Sequence, residues 1–217
     1  MKKKTLRLCF TVLYCLLAAV AFTMDFQLHT GSLSTRPFVF YTSLSNLLCS
    51  GFMLISLIHS ICKSKTQSPF APLCKYLFTA AILLTALVHN LFLEYHSSLY
   101  SYFADIKNAL HHLILPLLFL LDWLLFYPKG KIKIYQPFLV PVIPLFYVSY
   151  ILIRAAYVQQ AGISVNVLYP YFFLNIENLG WQGFGIWMGI LLCAILALGY
   201  GLYGIDYALD RRAARRT

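Results

Sequence analysis

Charged residues are scarce in this chain: they make up 11% of 217 residues, and only 7 of them are Asp or Glu. Soluble domains carry about 25% charged residues. Hydrophobic residues make up 60% of the chain, and the mean hydropathy is +0.73. This composition excludes a disordered chain and leaves too little polar surface for a soluble globule. It predicts an all-α, polytopic membrane bundle in which residues 1–217 form one domain.

Paired cysteine motifs are missing as well. The chain has 6 cysteines and no CxxC pair, so neither a disulfide framework nor a zinc site is indicated. His89, Glu94, His111 and His112 are possible metal ligands by type, but neighbouring residues of a helix point about 100° apart. We therefore predict no metal and no cofactor. An internal repeat is not visible either, so the sequence gives no support to an inverted-repeat transporter.

Long apolar runs are what the sequence does contain. Each is close to the roughly 20 residues that a helix needs to cross the hydrocarbon. The first run follows basic residues, as in a signal peptide, but it is long and residues 24–26 form no small-residue cleavage site, so we expect a membrane helix. The six predicted spans are residues 8–25, 38–61, 73–93, 105–127, 137–157 and 180–207.

The basic residues predict the orientation of the bundle. Of the 17 Lys and Arg, 14 lie on the side of the N-terminus, and only Arg36, Lys107 and Arg154 lie opposite. The positive-inside rule then places both termini in the cytoplasm. Because the basic residues are split among four short membrane-proximal segments, we expect contact with the lipid bilayer and not with nucleic acid. The 14 residues are Lys2, Lys3, Lys4, Arg7, Lys63, Lys65, Lys75, Lys129, Lys131, Lys133, Arg211, Arg212, Arg215 and Arg216.

Polar side chains recur at one depth, near the end of the spans opposite the termini, which we call the outer end. Ionisable groups in a membrane are costly, so each is a candidate for function. Three stripes with helical spacing are expected to face the bundle interior. They are Thr42, Ser45, Asn46 and Cys49; Asn108, His111 and Leu115; and Tyr147, Tyr150, Arg154 and Tyr157.

Three further features lie along the chain. Pro116 removes a backbone N–H and frees the carbonyl of His112, so the fourth span is expected to kink or open there. Asp122 and Asp206 lie near the cytoplasmic end. We interpret them as acids paired with nearby Lys or Arg, and a proton relay is the alternative. The aromatic loop over residues 158–179 is expected to cap an outer pocket and to anchor at the interface.

Four motifs in order carry a family resemblance. They are FYTSLSNLL at 40–48, NALHHLILP at 108–116, DWLL at 122–125 and YPY at 169–171. They resemble the motifs of a bacterial family of six-pass membrane proteins of unassigned activity. That family is distantly similar to the eukaryotic androgen-induced membrane hydrolases, which hydrolyse fatty acid esters of hydroxy fatty acids.

Those hydrolases are described as using a threonine nucleophile and a histidine five residues before a proline. The resemblance implies that Thr42 is the nucleophile and His111 the histidine, since Pro116 follows His111 by five. It also implies a lipid ester substrate and a bacterial inner membrane. The chain departs from the pattern in its second histidine, His112, and in lacking an acidic residue close to Thr42.

Our first hypothesis is an intramembrane, threonine-dependent lipid esterase. A threonine hydroxyl is a weak nucleophile and needs a base within about 3 Å, which His111 is placed to supply. Candidates to orient that histidine are Asp25, Glu94 and Glu177, and candidates to donate to the oxyanion are Asn46, Asn108 and Arg154. His89, His112 and Tyr169 complete the predicted substrate-binding residues.

Two non-enzymatic alternatives remain open. Haem bound between His89 and His111 is one. A small transporter or scaffold, with Asp122 and Asp206 continuing a polar path, is the other. Each polar residue taken singly is also compatible with helix packing. The sequence leaves the oligomeric state open.

Overall fold

The computed structural model describes residues 2–62, 70–93 and 99–215. The predicted residue Glu94 and the basic residues Lys63, Lys65 and Arg216 lie outside the described residues. Among those described, six helices are long and apolar enough to cross a membrane, which confirms the predicted all-α, multi-pass bundle. The helices are α1 (Lys2–Asp25), α2 (Tyr41–Ile61), α3 (Ala71–Val88), the short α4 (Leu99–Ala104), α5 (Ile106–Phe126), α6 (Val142–Gln160) and α7 (Ile176–Ala214).

The helix ends follow local signals. α6 begins five residues later than predicted, because the 3-10 turn Gln136–Leu139 precedes it. α7 begins earlier, where the Asn175 side chain accepts a hydrogen bond from the Asn178 N–H. At Gly180, whose φ is 64°, α7 departs from helical geometry, so its first turn is set at an angle to the long span.

α5 opens beside Pro116, as predicted. Its segment Leu110–Ile114 is a π-helical turn in which the Leu115 N–H reaches the Leu110 carbonyl. A proline at 116 leaves the His112 carbonyl without its α-helical partner and the His111 carbonyl without its π-helical one. Asparagine amides replace both donors, from Asn46 to His111 at 3.2 Å and from Asn90 to His112 at 3.3 Å.

Two buried tyrosines connect α6 and α7 to this core through hydrogen bonds. The Tyr76 hydroxyl on α3 donates to the Gly199 carbonyl on α7 at 2.7 Å, and Tyr147 on α6 donates to the Val39 carbonyl at 2.9 Å. Gly199 packs closely against this region, since a Cβ there would lie 3.1 Å from a methyl of Val140. No water is available in the hydrocarbon to donate to these two carbonyls, and the tyrosine hydroxyls donate to them instead.

Near the end that carries the termini, Lys75 and Asp122 form an ion pair at 2.8 Å, with 0% and 1% of their side chains exposed. The Lys75 ammonium also lies 3.2 Å from the centre of the Phe119 ring. Asp122 is therefore an acid paired with a lysine, as interpreted. Counting Lys75 among the membrane-proximal basic residues was wrong: a carboxylate and an aromatic face take the place of water around it.

Asp206 also lies near the end that carries the termini, but it binds a backbone N–H. Its carboxylate accepts the Gly130 N–H at 2.9 Å, in the turn between α5 and α6. Gly130 has a φ of 71°, and a Cβ there would collide with the Asp210 carboxylate. Burial lowers the pKa of the neighbouring Lys129, and the charge of Asp206 opposes that shift. This acid thus ties a basic turn to α7.

Lys75→Met tests the buried ion pair. The substitution leaves Asp122 buried and unpaired, and we expect it to cost about 3–5 kcal/mol of unfolding free energy. The double variant Lys75→Met/Asp122→Leu should recover most of that loss. Thermal unfolding in detergent measures both, with the exposed Lys133→Met as control. A single variant as stable as the control would contradict the pair's structural role.

Candidate functional site

A cavity of about 400 Å³ lies between α3, α6 and α7. This volume is within the range of small-molecule binding sites. Three residues of its wall, Leu145, Gly189 and Leu192, are exposed at the gap between α6 and α7, so the cavity has a mouth on the side where the bilayer lies. We call it the chamber. Most of its wall is apolar, as in Leu84, Val88, Val148, Leu152, Met188 and Ile195.

Hydroxyl groups gather at the outer end of the chamber. Thr42 at the start of α2 is half-buried and lines it, together with Tyr147 and Tyr171. Tyr171 lies close to Thr42 and Tyr147, and its ring meets that of Tyr147 with centroids 6.3 Å apart. Burial raises the pKa of Tyr171, so its phenol keeps its proton and remains a donor.

Tyr41 adds a hydroxyl without a partner. The residue is 8% exposed, lines the chamber and packs its ring against Tyr147 with centroids 5.1 Å apart. Its hydroxyl is buried, and no hydrogen-bond partner exists for it among the described residues. Because this hydroxyl has almost no accessible surface, it is the rest of the Tyr41 side chain that forms the chamber wall.

His111 belongs to a second cluster, on the side of α1. Asp25 is its centre: one carboxylate oxygen accepts the Ser43 hydroxyl at 2.6 Å, and the other lies 3.2 Å from the Lys107 ammonium. The His111 Nε2 lies 3.8 Å from the first oxygen, and Phe22 sets its ring edge-to-face on the imidazole. In a catalytic triad the imidazole stands between hydroxyl and carboxylate. In this cluster the Asp25 carboxylate lies between the Ser43 hydroxyl and the His111 imidazole.

Thr42 and His111 therefore have different surroundings. The Thr42 side chain lines the chamber, whereas the His111 ring faces α1, and no hydrogen bond joins them. Asn46 is wholly buried between them and donates to the Thr42 carbonyl at 2.9 Å and to the His111 carbonyl. Successive residues of a helix turn by about 100°, so Ser43, and not Thr42, is the α2 hydroxyl on the histidine side.

The other histidines pair with each other. His89 stacks on His112 with ring centroids 3.3 Å apart and planes 8° apart. His89 thus contacts His112, whereas the imidazole of His111 lies against Phe22 and near Asp25. Asn108, 7% exposed, lies beside His111, and its backbone N–H is capped by Asp105 at 3.0 Å.

Arg154 and Tyr169 serve the outer loop and not the chamber. The Arg154 guanidinium donates to the carbonyls of Val167 and Leu168 at 3.0 and 3.2 Å. Tyr169 lines a separate polar cleft. The same loop covers the outer end of the chamber through Tyr171 and Phe173.

The three predicted stripes differ in outcome. Ser45, Asn46 and Cys49 are buried below Thr42, and Asn108, His111 and Leu115 are all buried. The prediction that the whole third stripe faces the bundle interior was wrong. Tyr147 is buried, but Tyr150 and Tyr157 are 40% and 64% exposed. Their position near the outer end of α6 suits the aromatic belt of a membrane interface.

Sequence reasoning missed Tyr41, Ser43 and Tyr171 as members of these clusters, whereas Tyr147 belonged to a stripe that was predicted to face the bundle interior. Tyr41 and Ser43 flank Thr42 inside one of the quoted motifs, and Tyr171 ends another. The motifs were thus a usable signal, but they do not say which hydroxyl faces which helix.

Comparison of the chain with models of known protein families, with curated proteins and with solved structures finds no match. The resemblance stated above therefore stays a prediction. What the site can do has to be argued from its geometry.

A double-mutant cycle tests the separation of the two clusters. Asp25→Asn and Ser43→Ala should be coupled by about 1 kcal/mol in unfolding free energy, because the two side chains share a hydrogen bond. Thr42→Val and His111→Phe should add within about 0.5 kcal/mol. Thermal unfolding in detergent provides the values. Strong coupling between Thr42 and His111 would show that these side chains meet.

Proposed function

We propose that the protein takes an acyl lipid from the bilayer into the chamber and holds the lipid's ester group at the outer end. The observation that carries this proposal is a long apolar cavity that opens between α6 and α7 and is lined at its outer end by Thr42 and Tyr171.

The shape of the chamber supports an acyl chain. On α6 its lining runs from Leu152 to Pro144, eight residues or about 12 Å along a helix. The wall offers an alkyl chain contacts like those of a protein interior, and the mouth between α6 and α7 gives a lateral path from the membrane. A ligand that arrives from water would have to cross the aromatic loop above Tyr171.

Hydrolysis of the bound ester is the activity that we propose for this site, and the hydrolase resemblance supports it. Thr42 Oγ would attack the ester carbonyl and form an acyl-threonine. Its proton would pass to the Tyr171 hydroxyl while Tyr171 gives its own proton to the leaving alcohol oxygen. Water would then release the fatty acid and restore the hydroxyl. The proximity of Thr42 and Tyr171 in the chamber wall supports this relay, in which the tyrosine stays neutral throughout.

This proposal changes the role of the predicted base. His111 faces Asp25 on the other side of Asn46, so it would position α2 and α5 and would not touch the substrate. Asn108 and His112 lie with it in the packed core of the bundle. The haem and transport alternatives lack a comparable observation in their favour.

Gly189→Phe tests binding, and Thr42→Val tests hydrolysis. A Cβ at Gly189 meets open space, and Gly189 lies at the rim of the chamber, so the Phe substitution is chosen to obstruct the mouth. We expect at least a tenfold loss of affinity for a fluorescent acyl-chain ester lipid. Thr42→Val should still bind that lipid but should no longer release fatty acid from it.

Gly204→Phe is the matched control, since Gly204 lies on the same helix, has open space and does not line the chamber. Equal binding by the Gly189 and Gly204 variants would contradict the proposed binding site. Binding without fatty acid release by the unaltered protein would remove the hydrolytic step and leave a lipid-binding protein.

A further inference from the structure

A second cavity, of about 510 Å³, opens at the outer end of the bundle between the turn before α2 and the long outer loop. We call it the head-group cleft. Unlike the chamber it is lined by polar side chains, among them Arg36, Asn166, Tyr169 and Glu177. Arg154 holds one wall in place by binding the two carbonyls of residues 167 and 168.

The cleft carries two opposite charges that do not neutralise each other. Arg36 and Glu177 both line it, yet neither forms an ion pair with any described residue. The Arg36 guanidinium lies 5.5 Å from the centre of the Phe40 ring, and Glu177 accepts a hydrogen bond from the Gln159 amide. A cation and an anion are thus both available to a ligand in one cleft.

The cleft and the chamber share a wall. Phe40 lines the cleft, and the next two residues, Tyr41 and Thr42, line the chamber. On the other side of the wall, Tyr169 lines the cleft and Tyr171 lines the chamber. The rings of Tyr171 and Phe40 meet edge-to-face, with their centroids 6.2 Å apart. The ring contact between Phe40 and Tyr171 closes this wall, so a molecule with its polar head in the cleft and its chain in the chamber would have to part these two rings, and its linking ester would then lie at the wall.

We infer that the head-group cleft binds the head group of a zwitterionic phospholipid, with the phosphate at Arg36 and the ammonium at Glu177. The inference rests on the chamber holding an acyl chain, as proposed above. Arginine suits phosphate because its planar fork offers several donors at once. Glu177 disfavours a head group of net negative charge. The ester presented to Thr42 is then that of a glycerophospholipid.

Binding of three lipids with matched acyl chains tests this assignment: phosphatidylethanolamine, phosphatidylglycerol and the free fatty acid. The full-length protein in detergent should bind phosphatidylethanolamine at least fivefold more tightly than phosphatidylglycerol. Arg36→Gln should weaken both phospholipids about tenfold and leave fatty acid binding unchanged. Glu177→Gln should abolish the preference between the two. Lys133→Gln removes an exposed charge at the opposite end and is the control.

The outcomes separate this inference from the proposed function. Unchanged phospholipid binding by Arg36→Gln, or an unaltered protein that does not prefer phosphatidylethanolamine, would overturn the head-group assignment while chamber binding stands. Loss of fatty acid binding in Arg36→Gln would also overturn it, because the cleft would then act on the chain. If instead Gly189→Phe leaves the binding of all three lipids intact, the proposed function itself fails.

Discussion

The outer end of the bundle depends on one buried amide, that of Asn46. Its nitrogen donates both hydrogens to carbonyls, one on its own helix and one in the π-helical turn of α5 that Pro116 leaves without a backbone donor. In hydrocarbon no water can take that place, so α2 and α5 are bound to each other at this level. Asn90, in the π-helical turn His89–Leu93 that follows α3, does the same for the next carbonyl. The two asparagines stabilise an open helix that would otherwise expose unpaired carbonyls.

This joint divides the polar residues into two groups. On the α1 side, Asp25 gathers a hydroxyl, an ammonium and an imidazole into a packed cluster. On the side of α6 and α7, hydroxyls stand at the end of an apolar chamber, and one of them lacks a partner. Both ring nitrogens of His111 are buried without a hydrogen-bond partner among the described residues, so hydrogen bonding does not distinguish the two groups. The second group lines a cavity, and this favours the chamber as the functional site.

The six spans were predictable because the length of an apolar run is a local property of the chain. The break at Pro116 was predictable for the same reason, since a missing N–H frees a known carbonyl. The direction in which each side chain faces was not predictable from the sequence. Thr42 and Ser43 are adjacent, and which of them meets His111 depends on how α2 packs against α1 and α5. The burial of Lys75 also required its partner Asp122, which lies on another helix.

Photo-crosslinking tests the central claim most directly. A phospholipid with a diazirine near the end of its acyl chain is reconstituted with the full-length protein, illuminated, and the labelled residues are mapped by mass spectrometry. Binding in the chamber predicts labels concentrated on residues at its inner end, such as Pro144 and Ile195. Labels confined to outward-facing residues such as Leu13 and Leu16 of α1 would contradict it, since these contact any bulk lipid.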